Sequence, residues 1–362
     1  MKRFLLSAIV LLSAAAFAHA EQGNPKLQSI EVIRFGPDGM LIIGDSKGAA
    51  VVTIDTGDLA ETKWTTTEVA GIDSVLAGKL GLMAADMQIQ KMAVNPMSRK
   101  VYVAVRSMKA KQDAILTIDG SGKVAEFSLD NVKFNRYALT TDKAVVKITD
   151  VVYAGGKIVV AAQASDTFAS RVFTITPGKG DTKCIATETY HVGHGKWETK
   201  APILTIMPYE ENGKPYVVGS FTCTPIVKYS LDDMTEGAKV KGTSVVELGT
   251  GNQPRSMFTY EKEGKKFILV STFRKYNTQK VGPSPYWVAK VDYTLLQETK
   301  AINEAALWRV AKGGDPSKSK NDRAVVATEF FGVQHMDKLD GDRALVLRED
   351  KGGLSLRVLN LP

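Results

Sequence analysis

Residues that mark common catalytic and cofactor sites are scarce in this sequence. Two cysteines and four histidines occur among 362 residues. The chain also lacks a C-x-x-C-H haem-attachment motif, a G-x-S-x-G elbow, an H-E-x-x-H zinc motif, a Walker loop and a Rossmann glycine fingerprint. No motif therefore assigns a reaction, and the function has to be argued from the fold and from the placement of side chains.

Long apolar runs are also missing after the first twenty residues. Lys2 and Arg3 precede an apolar run from Phe4 to Phe17, and Ala18-His19-Ala20 fits a small-x-small cleavage site. These features predict a signal peptide over residues 1–20, with an uncleaved anchor as the alternative. We expect a mature chain of residues 21–362 that is soluble and exported, to the periplasm or outside the cell.

Charge of either sign is not concentrated anywhere in the chain. Lysine and arginine number 47 against 39 acidic residues, for a net charge of +8. The lysines are scattered through turns such as "GKGDTK" and "EKEGKK", which is typical of a solvated basic surface. We therefore expect no nucleic-acid partner.

One pattern is present along the whole mature chain: an apolar strand, a short turn, a stronger strand, a polar loop and a third strand. The positions that share the first strand recur at intervals of 53–59 residues, with a last interval of 79; they are Ile33, Met92, Val151, Leu204, Met257 and Met336. The turns "GPDG", "NPMS", "AGG", "ENG", "KEG" and "DGD" fall at the same point of each repeat. Such hairpins share a core only when several are stacked.

The stretches "FGPDGMLIIGDS", "GAAVVTIDTG" and "NQPRSMFTYEKEGKKFILVS" resemble blades of the broad β-propeller superfamily with NHL, YVTN and gluconolactonase-type repeats. The resemblance implies an all-β fold of four-stranded antiparallel blades around a central channel, and it carries over no catalytic residue. Six repeats predict six blades in one domain over residues 21–362. A segment of the N-terminal region is expected to complete the last blade.

The wide last interval contains "ETKAINEAALWRVAK", which has helical character, followed by "GGDPSKSKND". We interpret residues 298–322 as an insertion. The alternative is a degenerate seventh blade formed together with "RAVVATEFF".

By analogy with other propellers, we expect a ligand to bind among the loops at one mouth of the channel. Starts of first strands and ends of second strands would meet there. The residues predicted to bind a ligand on this face are Lys91, Arg106, Asp150, Arg255, Arg274, His335 and Arg348. Guanidinium groups suit carboxylates and phosphates, whereas the alternative is that these arginines cap carbonyls or pair with nearby aspartates.

Three histidines, His191, His194 and His335, are predicted to approach the same face, with Cys223 nearby. Imidazole and thiolate are ligands for zinc, copper or iron, so a metal ion is the cofactor that the sequence suggests, although it requires none. The alternative is that they are separate surface or structural histidines.

The cysteine pair leaves two alternatives open. In an exported protein, Cys184 and Cys223 suggest a disulfide. Their predicted strand positions fall toward opposite faces, which would keep the thiols apart.

Gluconolactonase-type hydrolases hold calcium with a Glu, Asn and Asp set at the first-strand starts, and the resemblance would place Glu31 and Asp150 there. The asparagines are missing, and Lys91 and Arg255 would repel a divalent ion. The sequence thus favours a binding or interaction module whose arginine-lined face holds an anionic small molecule or an envelope or secreted protein. The alternatives are a metal-dependent, lactonase-like hydrolase or a redox protein using this face, and a purely structural role.

Overall fold

The computed structural model describes residues 20–141, 144–166, 169–222, 225–249, 251–274, 281–306 and 323–362. These residues form 26 strands, which we group by their hydrogen bonding into units I–VI. The first four-strand group, unit I, contains β2 (Val32–Phe35), β3 (Met40–Asp45), β4 (Ala50–Asp55) and β10 (Val132–Ala138), with β1 (Glu21–Gly23) added on its outer edge. The described part of the chain contains no helix that could span a membrane.

The other units are also antiparallel four-strand groups. Unit II contains β6 (Met87–Val94), β7 (Val101–Ser107), β8 (Asp113–Ile118) and β9 (Val124–Glu126). Unit III contains β11 (Val145–Ala154), β12 (Lys157–Ala164), β13 (Ser170–Ile175) and β14 (Thr182–His191), to which β15 (Lys196–Glu198) pairs. Unit IV contains β16 (Ile203–Glu211), β17 (Lys214–Phe221), β18 (Pro225–Ser230) and β19 (Lys239–Glu247).

The C-terminal third of the chain forms the last two units. Unit V contains β20 (Asn252–Lys262), β21 (Lys265–Arg274), β22 (Tyr286–Asp292) and β23 (Ala324–Val326). Unit VI contains β24 (Val333–Lys338), β25 (Arg343–Asp350), β26 (Gly353–Asn360) and β5 (Glu68–Val69). Among the described residues there is one α-helix, α1 (Ile72–Lys79), and short 3-10 turns cover Pro37–Gly39, Ala84–Asp86, Val192–His194, Tyr293–Gln297, Glu304–Ala306 and Thr328–Phe330.

The apolar residues explain how these units stack. Along β2 and β3, side chains alternate between two faces: Val32 and Ile42 pack against unit III, whereas Ile33 and Leu41 pack against unit II. The whole core repeats this arrangement, because each of six buried apolar clusters lies between two neighbouring units. The first strands contact one another in a closed cycle, β2–β11–β16–β20–β24–β6 and back to β2.

The fold is therefore all-β with a propeller-like arrangement. The outer strands β14 and β19 pair in parallel, which joins units III and IV into one nine-stranded sheet. Because of this junction, the strands form five hydrogen-bonded sheets. The hydrogen bonding alone therefore does not define six blades.

The turns confirm the predicted hairpin chemistry. Asn212 and Gly213 connect β16 to β17 with φ of 52° and 72°, and Gly155 and Gly156 connect β11 to β12 with φ of 54° and 74°. Positive φ at both central residues is what a two-residue hairpin of type I′ requires, and Asn and Gly adopt it at low cost.

Two strands complete units that are not their neighbours in sequence. β10 follows unit II in sequence but completes unit I, and β5 lies between units I and II in sequence but completes unit VI. An early segment does complete the last unit, as expected, although it is Glu68–Val69 and not the first residues after the predicted signal peptide.

The predicted insertion is only partly described. Residues 307–322 lie outside the described residues, and Glu304–Ala306 forms a short 3-10 turn. β23 (Ala324–Val326), from the "RAVVATEFF" stretch, pairs with β22 and is the outer strand of unit V. That stretch is therefore part of unit V and not of a seventh blade.

Candidate functional site

The first strands share a local irregularity at their starts. Five of the six described first strands carry a shift in register, which leaves an extra residue opposite the second strand; these residues are Gln90, Thr149, Leu204, Arg255 and Gln334. Such β-bulges bend a strand and redirect the neighbouring side chains. The residues that follow the bulges are all polar and buried: Lys91, Asp150, Thr205, Ser256 and His335.

Asp150 is the centre of a buried charge network. Arg34 Nη2 lies 3.1 Å from Asp150 Oδ2, and Lys91 Nζ lies 3.3 Å from Oδ1. Thr205 Oγ1 and the Ile206 backbone N–H also donate to Oδ2, at 2.7 and 3.1 Å. The four side chains, Arg34, Lys91, Asp150 and Thr205, come from units I, II, III and IV, so they meet where the first strands of these units converge.

The network sets the ionisation of its members. Burial by itself would raise the pKa of Asp150, but the charges of Arg34 and Lys91 lower it to about 2. Burial lowers the pKa of Lys91 to about 8, although Asp150 opposes this effect. Asp337, 3.9 Å from Arg34 Nη1, has a pKa raised by burial. At neutral pH the centre therefore contains an ionised carboxylate held by two cations.

The half-buried Arg255 and the buried His335 form a second pair beside this network. Arg255 Nη2 lies 2.9 Å from His335 Nε2, and Arg255 Nε donates to the Gln334 carbonyl at 2.8 Å. A guanidinium can only donate, so Nε2 accepts and the imidazole proton is on Nδ1. Burial and the charges of Arg255 and Lys91 hold the pKa of His335 well below its usual range, which keeps the ring neutral.

Arg255 differs from the other cations of the channel because no carboxylate pairs with it. In the described ranges, no Asp or Glu oxygen lies within 4.0 Å of its guanidinium, and its contacts are a carbonyl, a neutral imidazole and the ring of Tyr286 at 5.6 Å. Burial lowers the pKa of Arg255 from its usual value. Among the described residues, therefore, no carboxylate compensates its positive charge.

A cavity of about 200 Å³ opens where these strands start. Its lining includes the side chains of Lys91, Lys147, Arg255, His335 and Glu31. Glu31 already accepts from Arg106 at 3.3 Å. The cavity is thus electropositive, with Arg255 on its wall.

The opposite mouth of the channel has a larger cavity of about 540 Å³. Arg34 and Asp337 line it together with Phe35, Tyr153 and Phe258. The charge network therefore separates two cavities of different character, a small cationic one and a larger one with aromatic walls.

The predicted ligand-binding residues are not all brought together. Lys91, Arg255 and His335 line the small cavity, and Asp150 contacts Lys91 behind it. The remaining predicted residues, Arg106, Arg274 and Arg348, do not line it. They lie at the ends of second strands, which stand farther from the axis than the first strands.

Arg106 and Arg348 have partners of their own. Arg106 makes a two-pronged contact with Asp113, at 2.6 and 2.7 Å, and this hydrogen bonding raises the pKa of Arg106. Arg348 Nη1 donates to the Glu329 carbonyl at 3.4 Å. These contacts match the alternative in which the arginines pair locally.

The geometry also argues against a calcium site of the hydrolase type. Of the two carboxylates that the resemblance placed there, Asp150 is held by Arg34 and Lys91, and Glu31 is held by Arg106. Hard cations need oxygen ligands free of competing positive charge. We therefore derive no calcium chemistry at this mouth.

The histidines divide into two places. His191 and His194 lie beside each other, with ring centroids 3.9 Å apart, and both contact Glu198. His335 contacts Arg255 in the channel and is not part of this group. The third potential metal ligand beside His191 and His194 is therefore Glu198, which the sequence analysis did not select although it follows His194 by four residues.

Of the cysteines, Cys184 lies near the start of β14, as expected, and its backbone N–H donates to Glu236 Oε2 at 2.9 Å. Cys223 lies outside the described residues, so the predicted disulfide stays a prediction.

The comparisons with known proteins identify no family. No protein-family model matches the sequence, and the search of curated proteins finds no match. The similar solved structures include a PQQ-bound aldose sugar dehydrogenase from Streptomyces coelicolor, at 11% identity and a TM-score of 0.35, covering 94% of this chain and 99% of that one. They also include Drosophila plexin A in complex with semaphorin 1b, at 8% identity and a TM-score of 0.43, covering 92% and 85%. An intramolecular trans-sialidase from Ruminococcus gnavus shares 11% identity at a TM-score of 0.37, covering 92% and 77%. These likenesses carry no argument about function.

Proposed function

We propose that the protein binds a small anionic molecule, a carboxylate or a phosphate, in the cationic cavity at the start of the first strands. The observation that supports this proposal is the uncompensated guanidinium of Arg255. A buried charge without a partner costs free energy, which a bound anion would return through charge-assisted hydrogen bonds. Lys91 and Lys147 add positive charge to the same wall.

The ligand class follows from size and chemistry. The cavity, at about 200 Å³, is smaller than the ~300–1,000 Å³ typical of pockets for drug-sized ligands. A compact anion suits this space better than a nucleotide or an oligosaccharide. His335 positions the guanidinium by accepting from Nη2, so it acts as a positioning residue.

The test is calorimetric titration of the purified protein with inorganic phosphate and with a series of small mono-, di- and tricarboxylates at low ionic strength. Arg255→Gln removes the charge, and we expect it to weaken binding by ~10- to 150-fold, the equivalent of a lost charge-assisted bond of ~1.5–3 kcal/mol. Arg348→Gln, outside the cavity, is the matched control and should leave the affinity unchanged.

Two results would overturn the proposal. One is that no phosphate or carboxylate binds the wild-type protein; the other is that Arg255→Gln and wild type bind equally well. A thermal unfolding curve of each variant separates a loss of binding from a loss of fold.

We also propose that each of the six units is one propeller blade and that residues 21–362 form one domain. The support is the cycle of contacts among first strands and the six apolar clusters that join neighbouring units. Differential scanning calorimetry should then give one cooperative transition. Two separated transitions would contradict a single domain.

We further propose that the protein acts after export, which the signal-like segment of residues 1–20 supports. Mass spectrometry of the exported protein should give a chain that starts at Glu21. Recovery of the unprocessed chain alone would contradict this proposal. The two alternatives for this mouth of the channel are binding of a partner protein and an enzymatic role. No observation favours either of them over anion binding.

A further inference from the structure

A second cluster of reactive side chains lies away from the channel, in the hairpin that follows the outer strand of unit III. β14 ends at His191, a 3-10 turn covers Val192–His194, and β15 returns to Glu198. Glu198 lies between the two imidazoles: Oε2 is 3.1 Å from His191 Nδ1, and Oε1 is 2.8 Å from His194 Nδ1. One potential ligand atom from each residue lies within 4.8 Å of the others.

We propose that His191, His194 and Glu198 bind a divalent transition-metal ion of the Zn²⁺ type. Two histidines and one glutamate form a recognised ligand set for zinc, and it leaves a fourth position for water or another ligand. The proposal is independent of anion binding in the channel, because no residue is shared between the two sites.

The hydrogen-bonding partners of the His191 ring support the presence of a cation at this site. This ring is buried, with 3% of its surface exposed, and it faces two carboxylates. Its Nδ1 faces Glu198 at 3.1 Å, and its Nε2 faces Glu247 at 3.6 Å. A neutral imidazole has one N–H to donate, so one of the two carboxylates faces a lone pair. A metal ion between Nδ1 and Glu198 removes this conflict, since both then donate electron pairs to the metal.

Glu247 has the features of an outer partner of a metal-bound histidine. It is 1% exposed, and its carboxylate accepts from the backbone N–H groups of Val192 and Gly193, at 2.5 and 2.9 Å. These bonds fix it beside His191 Nε2. A carboxylate at the nitrogen that does not bind the metal orients the ring and selects the tautomer in many zinc sites. Here it leaves Nδ1 to bind the metal.

The site is also accessible. The His194 side chain is 43% exposed and that of Glu198 is 20% exposed, so an ion can enter from solvent. The spacing suits tetrahedral zinc, whose bonds of ~2.0–2.1 Å to nitrogen hold neighbouring ligand atoms a little over 3 Å apart. Lys196 Nζ, 3.7 Å from Glu198 Oε1, is the one competing cation among the described residues, and its side chain is 65% exposed and able to move away.

The experiment measures binding of Zn²⁺ alone to the untagged, metal-depleted full chain, by calorimetry and by competition with a chromogenic chelator. We expect one ion per chain. His194→Ala should weaken binding by more than ~100-fold, because a ligand is lost. Glu247→Gln should weaken it by the ~10- to 100-fold typical of an outer partner. Lys196→Ala, a change in the same hairpin that removes no ligand, is the matched control and should bind at least as tightly as wild type.

A second readout does not depend on affinity. Trp197 lies between the proposed ligands in sequence and packs edge-on against Tyr190, with ring centroids 5.7 Å apart. Paramagnetic Co²⁺ at the site should quench the fluorescence of this tryptophan, and Trp197→Phe should remove most of the quenching. Absence of stoichiometric Zn²⁺ binding by the wild type, or equal binding by His194→Ala, would overturn the proposal.

Discussion

Replacing Lys91 with methionine should change how the stability of the protein depends on pH. Lys91 Nζ is buried on the channel axis, 3.3 Å from Asp150 Oδ1 and 2.9 Å from the Arg255 carbonyl oxygen that accepts its hydrogen bond. Arg34 and Arg255 are the other charged groups close to it. Methionine has a similar length and no charge, so the substitution keeps the packing and removes the ionisation.

The magnitude follows from the pKa of Lys91. Burial lowers it from 10.5 to about 8. Between these two pH values the unfolded chain holds more protons than the folded protein, so the free energy of unfolding rises with pH. A difference of about 2.5 pH units corresponds to about 3 kcal/mol at 1.36 kcal/mol per unit. Charged Lys91 therefore costs stability at neutral pH, and this cost disappears as the pH passes from 8 to 10.5.

The assay is urea unfolding at several values between pH 7 and pH 10. Wild type should gain about 2–3 kcal/mol relative to Lys91→Met across this range. Lys109→Met, at a lysine whose side chain is 71% exposed, is the control and should follow wild type at every pH. Parallel curves for wild type and Lys91→Met would refute the reasoning.

Two further substitutions test the interior. Asp150→Asn should lower the free energy of unfolding by about 3–5 kcal/mol in urea at pH 7, because it removes the carboxylate that Arg34 and Lys91 share inside the fold. The pKa of Asp150 is lowered to about 2, so the ionised carboxylate stabilises the folded protein fully above about pH 4, and this stabilisation is lost as the pH falls toward 2. An equal loss of stability in Asp150→Asn at pH 2 and at pH 7 would contradict this explanation. Gly44→Ala should cost about 1–3 kcal/mol in thermal unfolding, since a Cβ there would lie 2.6 Å from a methyl of Val32 and 2.8 Å from one of Ile148. Gly78→Ala in helix α1, where a Cβ meets nothing within 4 Å, should instead be neutral or stabilising by up to about 1 kcal/mol, and the same loss at both glycines would contradict the packing argument.

Local sequence signals predicted the all-β character and the hairpins because both depend on near neighbours. Short continuous apolar runs specify a strand that is buried on both faces, and Asn212-Gly213 specifies a tight turn. The order of the units around the ring has no such signal. It is set by contacts between units that are far apart in sequence. Nor is there a signal for β5, a strand of two residues, Glu68 and Val69, that no periodicity distinguishes from a loop.

The candidate sites were partly predicted for a similar reason. The repeat alone aligned Lys91, Asp150, Arg255 and His335 as comparable positions of first strands, and the structure places them at or next to the bulges within these strands. The sequence analysis did not select Arg34, because this residue lies between Ile33 and Phe35 in a stretch that reads as an apolar strand. The bulges that turn these side chains inward arise from pairing with the second strand, and a single sequence does not reveal that register.

Likewise, the sequence analysis grouped His335 with His191 and His194, whereas the structure places Glu198 beside these two histidines and His335 beside Arg255. The pattern H-x-x-H-x-x-x-E contains Glu198, but its relation to His191 depends on the turn at Val192–His194, which folds the chain back by hydrogen bonds to the distant Glu247.

The pairing of β5 with unit VI has a consequence for how the protein folds. Val69 pairs with Leu356, so the sheet that closes the ring joins residues from the first fifth of the chain to its last ten. A growing chain cannot complete this sheet until residues 356 and 357 have been made, and loop closure over such a distance is slow. β5 therefore has no partner in unit VI until β26 is available, so the ring closes late. A partly folded chain that lacks this pairing exposes apolar surface, which makes it prone to aggregation until the ring has closed.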